Sequence, residues 1–381
     1  MNLLNLGTYP PKQCGIASFS QDLRDNLVNI NQRCYVAAVS DPEHTYNYPE
    51  EVTYIIRQDR REDYVRTANA INKNTDIDVV IIQHEYGIYG GKDGGYLLEL
   101  TRRMYKPYIL VLHTVLPAPG AGQRTVLRDL CQQASAVVCM TRASARLASQ
   151  IYVAESSKIY IIQHGVPAFQ KKSRTRLKRQ YGFEGKELVT TFGLIGPGKG
   201  IEIGIETVNR LVAKHDNLMY LIVGRTHPML LKREGEKYRE MLIDLVNQYG
   251  LQQNVAFINR FLEPDELGDY LYMTDVYLSP YPQVDQAISG TMAYAIGCGR
   301  AIVSTPYSYA REMLDRERGL LASDTTPECL AELVERVISD PDLKYNLERE
   351  AAKLGHKIKW PYIAGQYAGL AELILKSKMA V

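Results

Sequence analysis

Thr191-Phe-Gly-Leu-Ile-Gly-Pro-Gly-Lys199-Gly200 is a strand running into a glycine turn that opens a helix. The apolar run Leu188 to Phe192 leads in, four glycines and one proline form the turn, and Ile201, Ile205, Val208 and Val212 then recur on one helical face. Glycines let backbone amides approach a ligand closely, and a helix start carries partial positive charge. With Lys199 beside that end, the stretch suits a phosphate or diphosphate. The spacing is not that of a P-loop, nor a clean dinucleotide fingerprint. Strand-to-helix turns are also glycine-rich for purely steric reasons, so taken alone the turn leaves both readings open.

Outward from this turn the same strand–turn–helix unit recurs. In the first half, Leu3–Leu6, Tyr35–Val39, Val79–Gln83, Tyr108–His113, Ala136–Met140 and Ile159–Ile162 read as strands, with helical patterns at Ala17–Asn29, Tyr96–Met104 and Thr125–Gln133. In the second half the strands are Leu188–Phe192, Met219–Val223, Val255–Ile258, Val276–Ser279, Ala301–Ser304 and Gly319–Leu321. Near-continuous apolar strands separated by helices predict parallel sheets covered on both faces, an α/β class with two doubly wound domains. Ala168 to Gln180, with Lys171, Lys172, Arg174, Arg176, Lys178 and Arg179, reads as a solvated linker and helix start; attraction to anionic lipid or an acidic partner is the other reading. A last helix is predicted over Ile363 to Lys376, after a break at Trp360-Pro361.

Composition narrows the functional classes. The 381 residues are 45% hydrophobic and 23% charged, ordinary for globular domains, and a net charge of +2 argues against a dedicated nucleic-acid binder. No apolar run reaches the roughly 20 residues that span a bilayer, and the N-terminus lacks a signal-peptide pattern. Cys14, Cys34, Cys131, Cys139, Cys298 and Cys329 are scattered without a CxxC pair, which predicts reduced thiols in a cytoplasmic protein. The seven histidines are equally dispersed, so no metal site is expected.

In open α/β sheets ligands bind beyond the carboxyl ends of the strands. Those ends carry Gly7 to Ile16, with Gly15 opening a helix; Gln83-His84-Glu85-Tyr86-Gly87; His113-Thr114; and His164-Gly165-Val166-Pro167. Three strand-end histidines read as a polar cleft wall, though each alone also fits a structural hydrogen-bonder. The second half offers Gly224-Arg225-Thr226-His227-Pro228 and Ser289-Gly290-Thr291, the latter either a second anion cradle or an ordinary helix cap.

The order and spacing of these pieces resemble a GT-B glycosyltransferase, specifically the retaining family four (group 1 glycosyltransferases). The resemblance rests on the first glycine loop, His113-Thr114, His164-Gly165-Val166, Gly193 to Gly200, Val223-Gly224, Asp275-Val276, Gly297 to Thr305 and Glu312. It implies two Rossmann-like domains facing a central cleft: residues 1–167 for the acceptor, 168–360 for the nucleotide sugar, and a terminal helix, 361–381, crossing back to the first. Lys199 would neutralise the donor diphosphate with the amides of Gly290 and Thr291, Ser289 would join that cradle, and Gly193 would border it. Gly15 would let the first loop approach donor phosphate and sugar, His113 would contact the transferred sugar as a catalytic residue with Lys199, and Glu85 with Tyr86 would lie toward the acceptor. Tyr86, Tyr89 and Tyr96 could stack on sugar rings, or simply pack. The implied reaction moves a hexose from a UDP- or GDP-sugar to a hydroxyl acceptor without metal or cofactor. Peripheral contact with the inner face of the membrane is compatible with it, as is domain closure about Ala168–Gln180 and Trp360-Pro361.

Two departures from the family pattern stand out. The family's paired glutamates, one for the sugar and one for the ribose, are replaced by Gln286 and Tyr294 unless a one-residue shift makes Asp285 the acid. The arginine expected after Gly193 is Leu194, and Arg225 is the candidate to replace its charge. A catalytically silent nucleotide- or sugar-binding GT-B protein is therefore the alternative to a transferase. A phosphorylase or sugar-nucleotide epimerase of the same fold is a third.

Overall fold

A computed structural model describes residues 1–379. The chain forms two compact units, one of residues 1–165 with 358–379, the other of residues 166–357.

The first unit is built on seven strands: β1 (Asn2–Gly7), β2 (Arg33–Ser40), β3 (Val52–Arg57), β4 (Val79–His84), β5 (Tyr108–Leu112), β6 (Ala136–Cys139) and β7 (Ile159–Ile161). They lie in the order β3-β2-β1-β4-β5-β6-β7, and every pairing is parallel. The second holds β8 (Glu187–Phe192), β9 (Leu218–Val223), β10 (Val255–Ile258), β11 (Val276–Ser279), β12 (Ala301–Ser304) and β13 (Leu320–Leu321), in the order β10-β9-β8-β11-β12-β13, again all parallel. Both sheets are therefore doubly wound, and the strand order reverses between β1 and β4 and between β8 and β11. At such a reversal the two following chain segments leave toward opposite faces, opening a crevice.

Residues of the central strands are buried on both faces, as all six of β4 and all five of β5 are, because the crossover helices cover the sheet twice. β3 escapes the sequence pattern. It is an edge strand that alternates exposed and sheltered positions, with Ile55 outside, so no apolar run marks it. The terminal helix spans Trp360–Met379, starting earlier than its apolar pattern. Pro361 does not kink it, because a first-turn residue needs no N–H; the preceding helix has already ended at Lys357. The Trp360 ring lies over Gly165, where a side chain would come within 2.3 Å of it, and meets Phe19 edge-on at 4.9 Å. Among the described residues no helix is long and apolar enough to cross a membrane.

The basic segment after residue 168 is not a solvated linker. Its helix, Arg174–Gln180, is ion-paired within the second unit. Lys172 reaches Asp269 at 2.6 Å, Arg179 reaches Glu184 at 2.9 Å, Arg174 pairs with Glu348, and Lys178 pairs with Asp275. Lys172, Arg174 and Lys178 thus answer the sheltered acids Asp269, Asp275 and Glu348, while Lys171, Arg176 and Arg179 stay exposed.

Asp275 is the centre of that network. Its carboxylate accepts the Leu188 N–H at 2.8 Å, its own N–H donates to the Leu188 carbonyl at 2.9 Å, and Lys344 lies 2.8 Å away. Burial opposes the charge, but Lys344 and Lys178 outweigh it and hold the carboxyl below its ordinary range. A carboxyl whose folded-state pKa is depressed stabilises fully above its unfolded value of about 4, and that contribution is lost as pH falls further. Asp275→Ala, which strands Lys178 and Lys344, is expected to cost about 3–5 kcal/mol in urea unfolding at neutral pH. The variant should also show a shallower acid dependence than the parent; an unchanged midpoint would refute the assignment.

Candidate functional site

At the β8/β11 reversal, the two strands stop pairing after Thr190 and Tyr277, and their loops come together beyond that point. Gly193 has φ +135°, a backbone shape that L side chains rarely adopt. A Cβ there would sit 3.1 Å from Thr291 Cγ2 and 3.7 Å from Lys199 Nζ, so the bare backbone just past β8, the lysine and the start of helix Gly290–Gly297 converge. Gly200, at φ +60°, lets the turn press on the Pro280 carbonyl, 2.1 Å from where a Cβ would be. Ser289 caps the helix, accepting the Met292 N–H at 3.2 Å. The amides of Gly290 and Thr291 precede the helical ladder, so they are available to an anion.

A residue that the sequence reading passed over completes this arrangement. The phenol of Tyr281 accepts a hydrogen bond from Lys199 Nζ at 2.5 Å and lies 2.8 Å from Thr291 Oγ1 and 3.4 Å from Ser289 Oγ. Its ring stacks on Tyr307, with centroids 5.1 Å apart. Burial opposes ionisation of this phenol, yet the Lys199 charge and hydrogen bond outweigh it and bring its pKa below the usual tyrosine value. The available signal was position: Tyr281 follows Pro280 just past the end of β11, beside the reversal.

Arg225 stands on the adjoining loop. Gly224, at φ +133°, packs on the Gly193 carbonyl, the Ile195 N–H donates to the Arg225 carbonyl at 2.8 Å, and the His227 N–H donates to the Ile195 carbonyl at 2.9 Å. The Arg225 guanidinium lies 6.0 Å from the Phe261 ring centroid, and its buried Nε has no hydrogen-bond partner. Burial and then the Lys199 charge push the His227 pKa down. Gln286 turns back on its own loop, donating to the Ile288 carbonyl at 2.8 Å, while Asp285 is exposed. Tyr294 sits one turn into the helix, its ring stacked at 6.1 Å on Phe192, the residue before Gly193. Gly193, Lys199, Ser289, Gly290 and Thr291 are thus brought together, with Tyr294 linked through Phe192. Gln286 and Arg225 make separate contacts.

The first unit arranges its strand ends differently. Asn5 Nδ2 donates to the Ser20 carbonyl at 3.0 Å, so Asn5 Oδ1 accepts from Gln83 Nε2 at 2.9 Å. Gln83 Oε1 then accepts from His113 Nε2 at 2.9 Å. The carbonyl anchor orients every amide in the chain, leaving His113 as the Nε2–H tautomer with Nδ1 an acceptor. The three histidines do not form an exposed wall: His84, His113 and His164 are only 3%, 6% and 9% exposed. Phe19 packs edge-on against His113 and His164 at 4.7 and 5.2 Å and helps seal them in. Burial lowers their pKa values to about 4 for His84 and His164 and about 3 for His113, where the other two histidines add to the effect.

Cys14 caps the helix Gly15–Asn29 through its thiol, and a Cβ on Gly15 would meet nothing within 4 Å. Packing inside the protein therefore does not require glycine at that position. The Glu85 carboxylate accepts the Thr114 hydroxyl at 2.7 Å and the Tyr86 N–H at 2.8 Å, and burial pushes its pKa up. The Tyr86 hydroxyl is engaged inward with Tyr152 at 3.2 Å, and Tyr89 is core, bonded to the Gln83 carbonyl at 2.7 Å.

Residues 173–354, most of the second unit, match the family model described as Glycosyl transferases group 1. The second unit is thus similar to group 1 glycosyltransferases over nearly all of its length. The full chain is similar in fold to Anabaena Alr3699/HepE in complex with UDP, at 17% identity and a TM-score of 0.78 over 98% of this chain and 100% of that one. Sucrose-phosphate synthase (tll1590) from Thermosynechococcus elongatus is similar at 16% identity and a TM-score of 0.78, covering 99% of each chain. These likenesses place the two units in the GT-B fold. Among curated proteins, YtcC of Bacillus subtilis (strain 168) is 21% identical over 182 residues, 47% of this chain and 43% of that protein, so the match spans less than half of the relative.

The buried histidines make a prediction for solution. In histidine-selective NMR, His84, His113 and His164 should keep neutral-imidazole signals through about pH 5, below the ordinary value of about 6.5. The unfolded chain takes up protons there that the folded one refuses, so stability should fall as pH drops below about 6.5. Three histidines titrating near the ordinary value would refute their burial.

Proposed function

We propose that the protein is a retaining, metal-independent glycosyltransferase that moves a hexose from a UDP-sugar to a hydroxyl acceptor, whether glycan, lipid-linked sugar or small molecule. The observation that carries this reading is the convergence of the Lys199 ammonium, the bare Gly193 backbone and the free helix-start amides of Gly290 and Thr291 at the β8/β11 reversal. UDP is favoured over GDP by the structural neighbour from Anabaena, crystallised with UDP, with UDP and glucose, and with UDP-glucose.

When the bond between the anomeric carbon and the donor phosphate oxygen breaks, negative charge grows on the leaving diphosphate. A fixed ammonium and oriented amides stabilise that charge more than the ground state, which is what accelerates the step. Arg225 supplies further positive charge from the neighbouring loop. In same-face attack, the acceptor oxygen bonds to the anomeric carbon and its proton passes to the departing phosphate oxygen. Tyr294 and Gln286 take the places of the paired glutamates, Tyr294 offering an aromatic face and a hydroxyl to the ribose. His113, neutral with Nδ1 as acceptor, suits a sugar hydroxyl rather than proton donation. Gly15 leaves room for the donor, and Glu85 and Tyr86 serve the acceptor side.

Calorimetric titration with UDP, GDP and ADP tests the donor reading. UDP should bind selectively, and Lys199→Ala should abolish measurable binding and lower kcat/KM by about 10²–10³-fold once a donor sugar is found. Gly15→Ala should leave thermal stability unchanged while reducing turnover. Binding of none of the three diphosphates would sink the proposal.

A further inference from the structure

Lys199 is not free in its site. Its ammonium donates to the Tyr281 phenol, an oxygen fixed by contacts with Thr291 and Ser289 and by the stack on Tyr307, on a ring that is 2% exposed. Diphosphate binding alone explains the lysine, the glycines and the helix start, but it does not explain a buried tyrosine bonded to the lysine. An ammonium has three donors on a flexible stem. A rigid acceptor that takes one of them directs the other two.

We infer that Tyr281 is a positioning residue for Lys199, its neutral phenol aiming the ammonium at the diphosphate and its ionised form withdrawing it. This rests on the donor-binding reading above. A neutral phenol leaves two N–H groups for phosphate oxygens. A phenolate would instead pair with the ammonium and repel the incoming anion, so UDP affinity must fall as Tyr281 ionises.

The phenols and the imidazole around Tyr281 do not imitate this behaviour, and the ammonium of Lys199 is common to the wild type and Tyr281→Phe. Lys199 faces it from the glycine turn, Ser289 and Thr291 from the helix start, Tyr277 from β11, and Tyr307 from the loop after β12. Burial holds Tyr277 and Tyr307 neutral, well above the usual tyrosine value, and His227 beside Lys199 is already uncharged in the alkaline range. The Lys199 charge favours ionisation of Tyr281 itself below that value.

The test uses UDP and the full-length protein. Affinity is measured from about pH 7 to 10, a range reaching the usual tyrosine value, for the wild type and Tyr281→Phe, with thermal melts to show that the variant folds. At neutral pH Tyr281→Phe should bind UDP about tenfold more weakly, the size of one lost charge-assisted hydrogen bond. Wild-type affinity should then decline with rising pH while the variant stays flatter, so that the two curves converge. A merely structural tyrosine would lower affinity equally at every pH, and parallel curves overturn the inference. As a second measurement in the wild type, saturating UDP should delay tyrosinate formation, seen as ultraviolet difference absorbance that is missing in Tyr281→Phe. No delay overturns the inference even if the variant folds poorly. Absence of UDP binding in the wild type overturns the donor reading and this inference together, whereas binding with parallel curves overturns only the inference.

Discussion

Asp275 exchanges two hydrogen bonds with Leu188 and faces Lys178, Lys344 and Arg174, so one carboxylate clamps the amino-terminal side of β8 and β11 to two helices. The opposite ends of the same strands are released. Their ladder covers only Val189↔Val276 and Thr190↔Tyr277, after which the Thr191 hydroxyl reaches the Leu278 carbonyl at 2.7 Å and direct pairing ends. A sheet held firmly at one end and parted at the other places loops of different strands around one small space. Gly193, Lys199, Tyr281 and Thr291 occupy that space because the strand order reverses there.

The two units treat polar residues at their reversals in opposite ways. In the second, an ammonium, a phenol and two hydroxyls cluster where backbone amides remain unpaired. In the first, Asn5, Gln83 and His113 form a directed chain ending in a neutral imidazole. Burial keeps that imidazole uncharged, so its contribution is an acceptor held in place rather than a mobile proton.

The central strands were legible because burial on both faces demands uninterrupted apolar runs, and the glycine turns were legible because close backbone approach excludes side chains. β3 was not, since an edge strand with Thr53 and Ile55 outside carries no such run. The histidines misled for a related reason. Polar residues at strand ends suggest exposure, but Phe19, which covers His113 and His164, and Trp360, which covers His164, are distant in sequence and only tertiary packing brings them near. The basic segment misled likewise, because Asp269 and Asp275, which neutralise much of it, lie about a hundred residues further along. Tyr281 was hidden by abundance: as one of 27 tyrosines, it shows nothing distinctive until Lys199 is found against its hydroxyl.

Trp360 covers Gly165, so the chain leaves the first unit and rejoins it at the same spot. The second unit is thus an insertion between these two points. During synthesis, domains ordinarily fold in the order in which they emerge. Here the first unit to emerge is the last that can be completed, because Phe19 and His164 wait for a tryptophan made almost two hundred residues after Gly165. A ribosome stalled after residue 357 has emerged would therefore hold a finished second unit and an unsealed first unit whose aromatic core is still open to chaperones.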